Sequence, residues 1–276
     1  MSMQDVYDWI DANADECVRD LQRFVQQPSI SAQNVGLREC AALVREMMHE
    51  DGLPAEFHEL EEGPPVVFGH LEARKPSKTI LCYSHYDVQP PEPLDEWTHG
   101  GPWSGEIVDG VMYGRGSTDN KSGVLAFNKA AKAFLQVRGE VPVNLKFLIE
   151  GEEEIGSPNL AAWAEKNEEL LKADGMHCLD GSMETGTQVP DVSLGLKSVL
   201  FVELIARGAK MDVHSLNFPL VESPVWELIW ALNTILDRDR KILVEGWEEG
   251  IWHCLLYTSD AADEGLGVDL GGRRII

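Results

Sequence analysis

Apolar residues recur near helical spacing at Val6, Ile10, Cys17, Leu21, Phe24 and Val25, which predicts a helix over 6–25 ended by Pro28. Leu37 to Met48 repeats the pattern, and Asp51-Gly52 stops it. The period then changes to that of strands. Ala55 to Leu60 alternates, Val66 to Leu71 is short and apolar, and Thr79 to Tyr83 is a continuous apolar run, as a strand buried on both faces requires. Ile107 to Tyr113 reads as a hairpin turning at Asp109-Gly110. Lys121 to Val137 has helical spacing, and Val143 to Ile149 is a second buried strand. Ser157 to Leu171 reads as a helix with Ser157 as N-cap and Pro158 at its first position, and Met176 to Leu179 as a short strand. Strands alternating with helices predict an α/β fold: a mostly parallel sheet flanked by helices. A second unit starts near Pro190, with strand character over Val192 to Arg207 and an amphipathic helix over Val221 to Arg238 anchored by Trp226, Ile229 and Trp230. One strand and one helix are too little for a core of their own.

Charge narrows the partners. The chain of 276 residues has 23 Lys and Arg against 47 Asp and Glu, a formal net charge of −24. Such a surface repels phosphate backbones and anionic lipid, so no nucleic acid and no membrane is expected as partner, and it favours cations. No apolar run approaches the roughly 20 residues of a membrane-spanning helix. The N-terminus has neither the basic start nor the apolar centre of a signal peptide, which leaves the cytoplasm as the expected compartment. Cys17, Cys40, Cys82, Cys178 and Cys254 form no CxxC pair and read as small buried thiols in a reducing compartment.

The candidate chemistry sits just after the strands, where ligands of α/β sheets bind. Ser84-His85-Tyr86-Asp87 follows the strand TILCY, and its His and Asp, two apart on extended chain, point the same way. Taken alone, such a pair is also an ordinary hydrogen-bonded loop. Gly114 to Gly123 (GRGSTDNKSG) precedes a helix, with Asp119 at or near its cap. It lacks the spacing of a phosphate loop, and an Asp there would oppose phosphate. Glu150 to Ser157 (EGEEEIGS) puts consecutive carboxylates at the end of a core strand, where they repel one another unless a cation sits among them. Asp180 follows a third strand, and His214 lies in the second unit. One imidazole with several carboxylates suits a pair of Zn²⁺ or Mn²⁺ ions, with Co²⁺ a further option.

Taken in order, SHYDVQPPEP, DEW, YGRGSTDNKSG, EGEEEIGS, LDG and DVHS resemble the co-catalytic metallopeptidases of the aminoacyl-dipeptidase and carnosinase type. Succinyl-diaminopimelate desuccinylase, acetylornithine deacetylase and glutamate carboxypeptidase share that fold. The form HYDVQP is closer to the dipeptidase branch. The resemblance implies a dipeptidase-type hydrolase whose water is activated by metal. It implies His85 as a ligand of the first ion, Asp87 as the acid orienting it, and Asp119 as the bridge between the ions. Glu153 would be the general base, Glu154 a ligand of the second ion, and Asp180 the remaining acidic ligand of the first. His214 would be the lid-domain histidine that, in family dimers, reaches the partner's site to stabilise the oxyanion. A homodimer formed through the lid is implied for the intact protein. An N-acyl amino-acid deacylase of the same fold is the alternative enzyme, and an acidic Ca²⁺-binding or interaction module the non-enzyme one.

Departures from the pattern matter. Leu216 stands where the family commonly has Gly, and Pro219-Leu220 where it often has Gly-Gly. The final His expected for the second ion has no match. The stretch from Cys254, CLLYTSDAADE followed by GLG and VDLGGRRII, has no apolar period and resembles an in-frame translation of a transposon-based sequencing adapter. The expected organisation is therefore an incomplete catalytic domain over 1–189, part of a lid over 190–252 and a non-native tail over 253–276. Such a fragment is expected to be inactive or to hydrolyse dipeptides very poorly.

Overall fold

A capping box opens helix α1 (Met3–Ala12): Ser2 Oγ accepts the Asp5 N–H, and the Asp5 carboxylate accepts the Ser2 N–H. The periodicity predicts one helix here, but the chain forms two, α1 and α2 (Ala14–Val25). Asn13 makes the break. Its side chain turns back to donate to the Trp9 carbonyl at 2.7 Å, competing with the helical ladder. The computed structural model describes residues 2–75, 78–181, 201–211, 214, 216 and 223–247. The chain divides into two compact units, Met1–Gly195 and Leu196–Ile276.

In the first unit, α3 (Leu37–Glu50) is followed by β1 (Glu56–His58), β2 (Val66–Leu71) and β3 (Thr79–His85). A two-stranded ribbon, β4 (Glu106–Val108) and β5 (Val111–Tyr113), turns at Asp109-Gly110, both at positive φ as the hairpin requires. Then come α4 (Lys121–Arg138), β6 (Asn144–Glu150), α5 (Leu160–Lys166), α6 (Glu168–Leu171) and β7 (Gly175–Cys178). The main sheet runs β1-β2-β6-β3-β7. β3 is parallel to both neighbours, and only β2 runs against the rest.

Alternation along the strands sorts the two faces. Val67, Cys82 and Phe147 pack with Phe24, Val44, Met48 and Val124 from α2, α3 and α4. Phe68, Leu81 and Leu148 pack with Trp163 and Leu160 of α5 on the other face. This three-layer arrangement explains why β3 and β6 are apolar at consecutive positions.

One expected helix start is displaced. The helix expected from Ser157 begins at Leu160 and breaks at Asn167. Ser157 is at φ +50°, and its hydroxyl donates to the buried Glu150 at 2.7 Å, so it is not free to cap. α4 begins at Lys121 as expected, with Asn120 as its N-cap, and the neighbouring Asp119 turns toward His85.

In the second unit, α7 (Pro224–Ile235) lies inside the expected span and follows Ser223 with Pro at its first position. Residues 201–207 form no strand, and the rest of the strand expected over 192–207 lies outside the described residues, as do His253 and the tail from Cys254. Among the described residues no helix is long and apolar enough to cross a membrane.

Candidate metal centre

Three parallel strands end at one place. β3 ends in His85, which sits in register opposite Glu150 at the end of β6. The turn after β6 carries Glu153 and Glu154, and Asp180 lies just beyond β7. Asp119 arrives from the loop before α4. Gly123 allows that approach. A Cβ there would lie 2.3 Å from the Leu179 carbonyl, so only glycine lets the first turn of α4 touch the chain leading to Asp180.

His85 is buried. Its Nδ1 lies 3.1 Å from the Asp87 carbonyl and 3.3 Å from Asp87 Oδ1. Nε2 is buried and makes no hydrogen bond. It faces Asp119 Oδ1 at 3.2 Å, Asp180 Oδ2 at 3.7 Å and Glu153 Oε2 at 3.8 Å. Ligand atoms of His85, Asp119 and Asp180 lie within 4.8 Å of one another. An orphaned imidazole nitrogen facing carboxylates is costly in a folded protein unless a cation or proton joins them, so this donor set fits a divalent ion.

Asp87 does more than face the imidazole. Its two oxygens accept the N–H groups of Glu153 (3.2 Å) and Glu154 (3.1 Å), so one buried carboxylate fixes both the histidine and the acidic turn. The far end of that turn is tied down by Glu150, whose Oε1 accepts from Tyr83 (2.6 Å) and Ser157 (2.7 Å). Glu154 stands beside the trio rather than within it. Its carboxylate accepts from the main-chain N–H of Gln89 (3.1 Å) and from the Gln89 side chain (2.9 Å). His214, in the second unit, is exposed, and its Nδ1 accepts the Leu216 N–H at 3.2 Å.

The electrostatics follow the geometry. Burial lowers the His85 pKa, but Asp119, Asp180 and Asp87 outweigh it and raise the pKa to about 12. Asp119 is held below the usual carboxylate range by the His85 imidazole beside it. Burial pushes Glu153 and Glu154 up.

Sequence reasoning passed over several residues. Gln89 stands in the HYDVQP run, but as a neutral amide it carries no sign of a role there. Lys121 of GRGSTDNKSG is buried, and its ammonium donates to the Phe24 carbonyl at 3.0 Å near the C-terminal end of α2, so it is a helix-end anchor. A second acidic group, Glu16, Asp20 and Asp51, is ion-paired by Lys129 and Lys132.

The profile of peptidase family M20/M25/M40 matches residues 81–251. Cys-Gly metallodipeptidase dug1 of Schizosaccharomyces pombe is 31% identical, over 98% of this chain and 62% of that protein. The human Beta-Ala-His dipeptidase is 30% identical, over 88% of this chain and 51% of its own. The crystal structure of an M20 family metallo-carboxypeptidase, Sso-CP2 from Sulfolobus solfataricus, matches with a TM-score of 0.77 and 32% identity, over 93% of this chain and 59% of that one. The chain thus spans between half and two thirds of the length of these relatives.

Proposed function

Since the chain belongs to peptidase family M20/M25/M40, we propose that it carries the centre of a metal-dependent hydrolase that cleaves the amide bond of dipeptides. The observation that carries this is the buried His85 Nε2, unbonded and facing three carboxylates. The choice of dipeptides is supported by the two relatives that are named dipeptidases.

His85 and Asp180 would hold a first Zn²⁺, Mn²⁺ or Co²⁺, Glu154 a second, and Asp119 both. When bound, such a pair supplies Lewis acidity toward the scissile carbonyl and a water that ionises near neutrality. Asp87 keeps the imidazole oriented through Nδ1, so Nε2 is the nitrogen presented to an ion. Glu153 takes the proton from the water and delivers it to the leaving nitrogen. Its raised pKa, caused by burial, moves it toward the operating pH of such a base. His214, with Nδ1 already accepting a hydrogen bond, has Nε2–H to offer an oxyanion, in the partner's site of a dimer.

Turnover by this chain itself is slow. Among the described residues His85 is the single imidazole in the cluster, and Glu154 with Asp119 alone makes a weak second position. Two experiments test the reading. Zn²⁺ titration should lose its tight step in His85→Ala, and unchanged binding would move the reading to an all-oxygen Ca²⁺ module. Dipeptide hydrolysis with Zn²⁺ or Mn²⁺ should fall at least about 100-fold below that of the fission-yeast relative, since a lost metal clamp is worth several kcal/mol. Comparable turnover would overturn the assigned roles.

A further inference from the structure

We propose that Gln89 is the positioning residue for Glu154 and that, through it, the chain sets its affinity for the second ion; this rests on the two-ion reading above. Three hydrogen bonds join the two residues. The main-chain N–H of Gln89 donates to Glu154 Oε1 at 3.1 Å. The carboxamide Nε2 donates to Oε2 at 2.9 Å and to the Glu154 carbonyl at 3.0 Å. One residue therefore engages both carboxylate oxygens and the carbonyl of the same glutamate.

The consequence lies in the remaining lone pairs. A carboxylate oxygen accepts at two positions, and Gln89 occupies one on each, so the carboxylate plane is set while each oxygen keeps a free position for an ion. A glutamate otherwise loses considerable rotamer freedom when a ligand orders it, and a carboxylate ordered beforehand binds with less of that loss. Both ends of the clamp are anchored. The Glu154 N–H is held by Asp87 Oδ2 at 3.1 Å, and on the other side the Val88 N–H donates to the Ser29 carbonyl at 2.9 Å. Val88 is fully buried, so Gln89 leaves the core from a fixed point. Only a neutral amide serves here. A glutamate would set a second carboxylate against the first, and a methionine of similar length has no N–H to give.

Removal of an outer partner from a ligating group typically lowers metal affinity about 10–100-fold. The test is calorimetric Mn²⁺ titration of the full chain and its variants, together with the melting temperature of each metal-stripped protein. The wild type should show two steps, the tighter belonging to His85, Asp119 and Asp180. Gln89→Met should weaken the second step about tenfold or more, leave the first within about twofold, and leave the melting temperature unchanged. An unchanged second step in Gln89→Met, or equal weakening of both steps, would overturn the assignment to Gln89 while leaving the two-ion reading in place. A wild type with fewer than two steps would overturn the two-ion reading, and this proposal with it.

Discussion

At His85 three carboxylates compete with burial and win, and the result is a sign that can be measured. A group whose pKa is higher in the folded state stabilises fully below its unfolded pKa and loses that contribution as pH rises through the folded one. For His85 the window opens near 6.5 and closes at about 12. The metal-stripped chain should therefore melt at progressively lower temperature as pH rises from 6.5 to about 9, and His85→Gln should flatten the slope. A wild-type melting temperature that holds or rises over that range would refute the account. The residues of this centre were readable to different degrees. His85, Asp180 and the Glu153-Glu154 pair announce themselves because polar groups directly after apolar strands are unusual, and these and Asp119 because their motifs occur in a known order. Gln89 carries no charge and sits in no period. Its part depends on where the turn after β6 folds back, which spacing along the chain does not encode.

At the scale of elements the centre depends on how α4 meets β7. Gly123 in the first turn of α4 packs against the Leu179 carbonyl, with Asp119 on one side and Asp180 on the other. In Gly123→Ala a Cβ would lie 2.3 Å from that carbonyl and 2.1 Å from Asn120 Oδ1, so helix and strand must move apart. The expected cost is about 1–3 kcal/mol in urea denaturation, with weaker retention of the first ion. Gly181→Ala, with nothing within 4 Å, is the control and should change stability by less than about 0.5 kcal/mol. A benign Gly123→Ala would show that this contact does not space the ligands. The strands and long helices were legible because their apolar periods are strong. The start of α5 and the break between α1 and α2 were not, because polar side chains there make other bonds. Ser157 bonds Glu150, and Asn13 splits a helix that the pattern shows as continuous.

For the molecule as a whole, charge and surface oppose each other. A net charge of −24 keeps copies apart, yet Trp226 and Trp230 on α7 are about half exposed, and Met176 on β7 is 62% exposed. Between about 0.01 M and 1 M salt the screening length falls from about 30 Å to about 3 Å, which removes the repulsion and leaves the apolar surface. Light scattering should therefore rise with salt, and Met176→Lys should reduce the rise. Scattering that stays flat across that range would show that charge is not what keeps the chain dispersed. Among the described residues β7 pairs with β3 alone, so one side of its backbone has no strand partner. Two residues beyond β7 stands Asp180. On the two-ion proposal, a strand added beside β7 would steady Asp180, and an ion held by Asp180 would steady that added strand. Ion loading and strand addition are then linked equilibria, and reciprocity requires each to strengthen the other by the same factor.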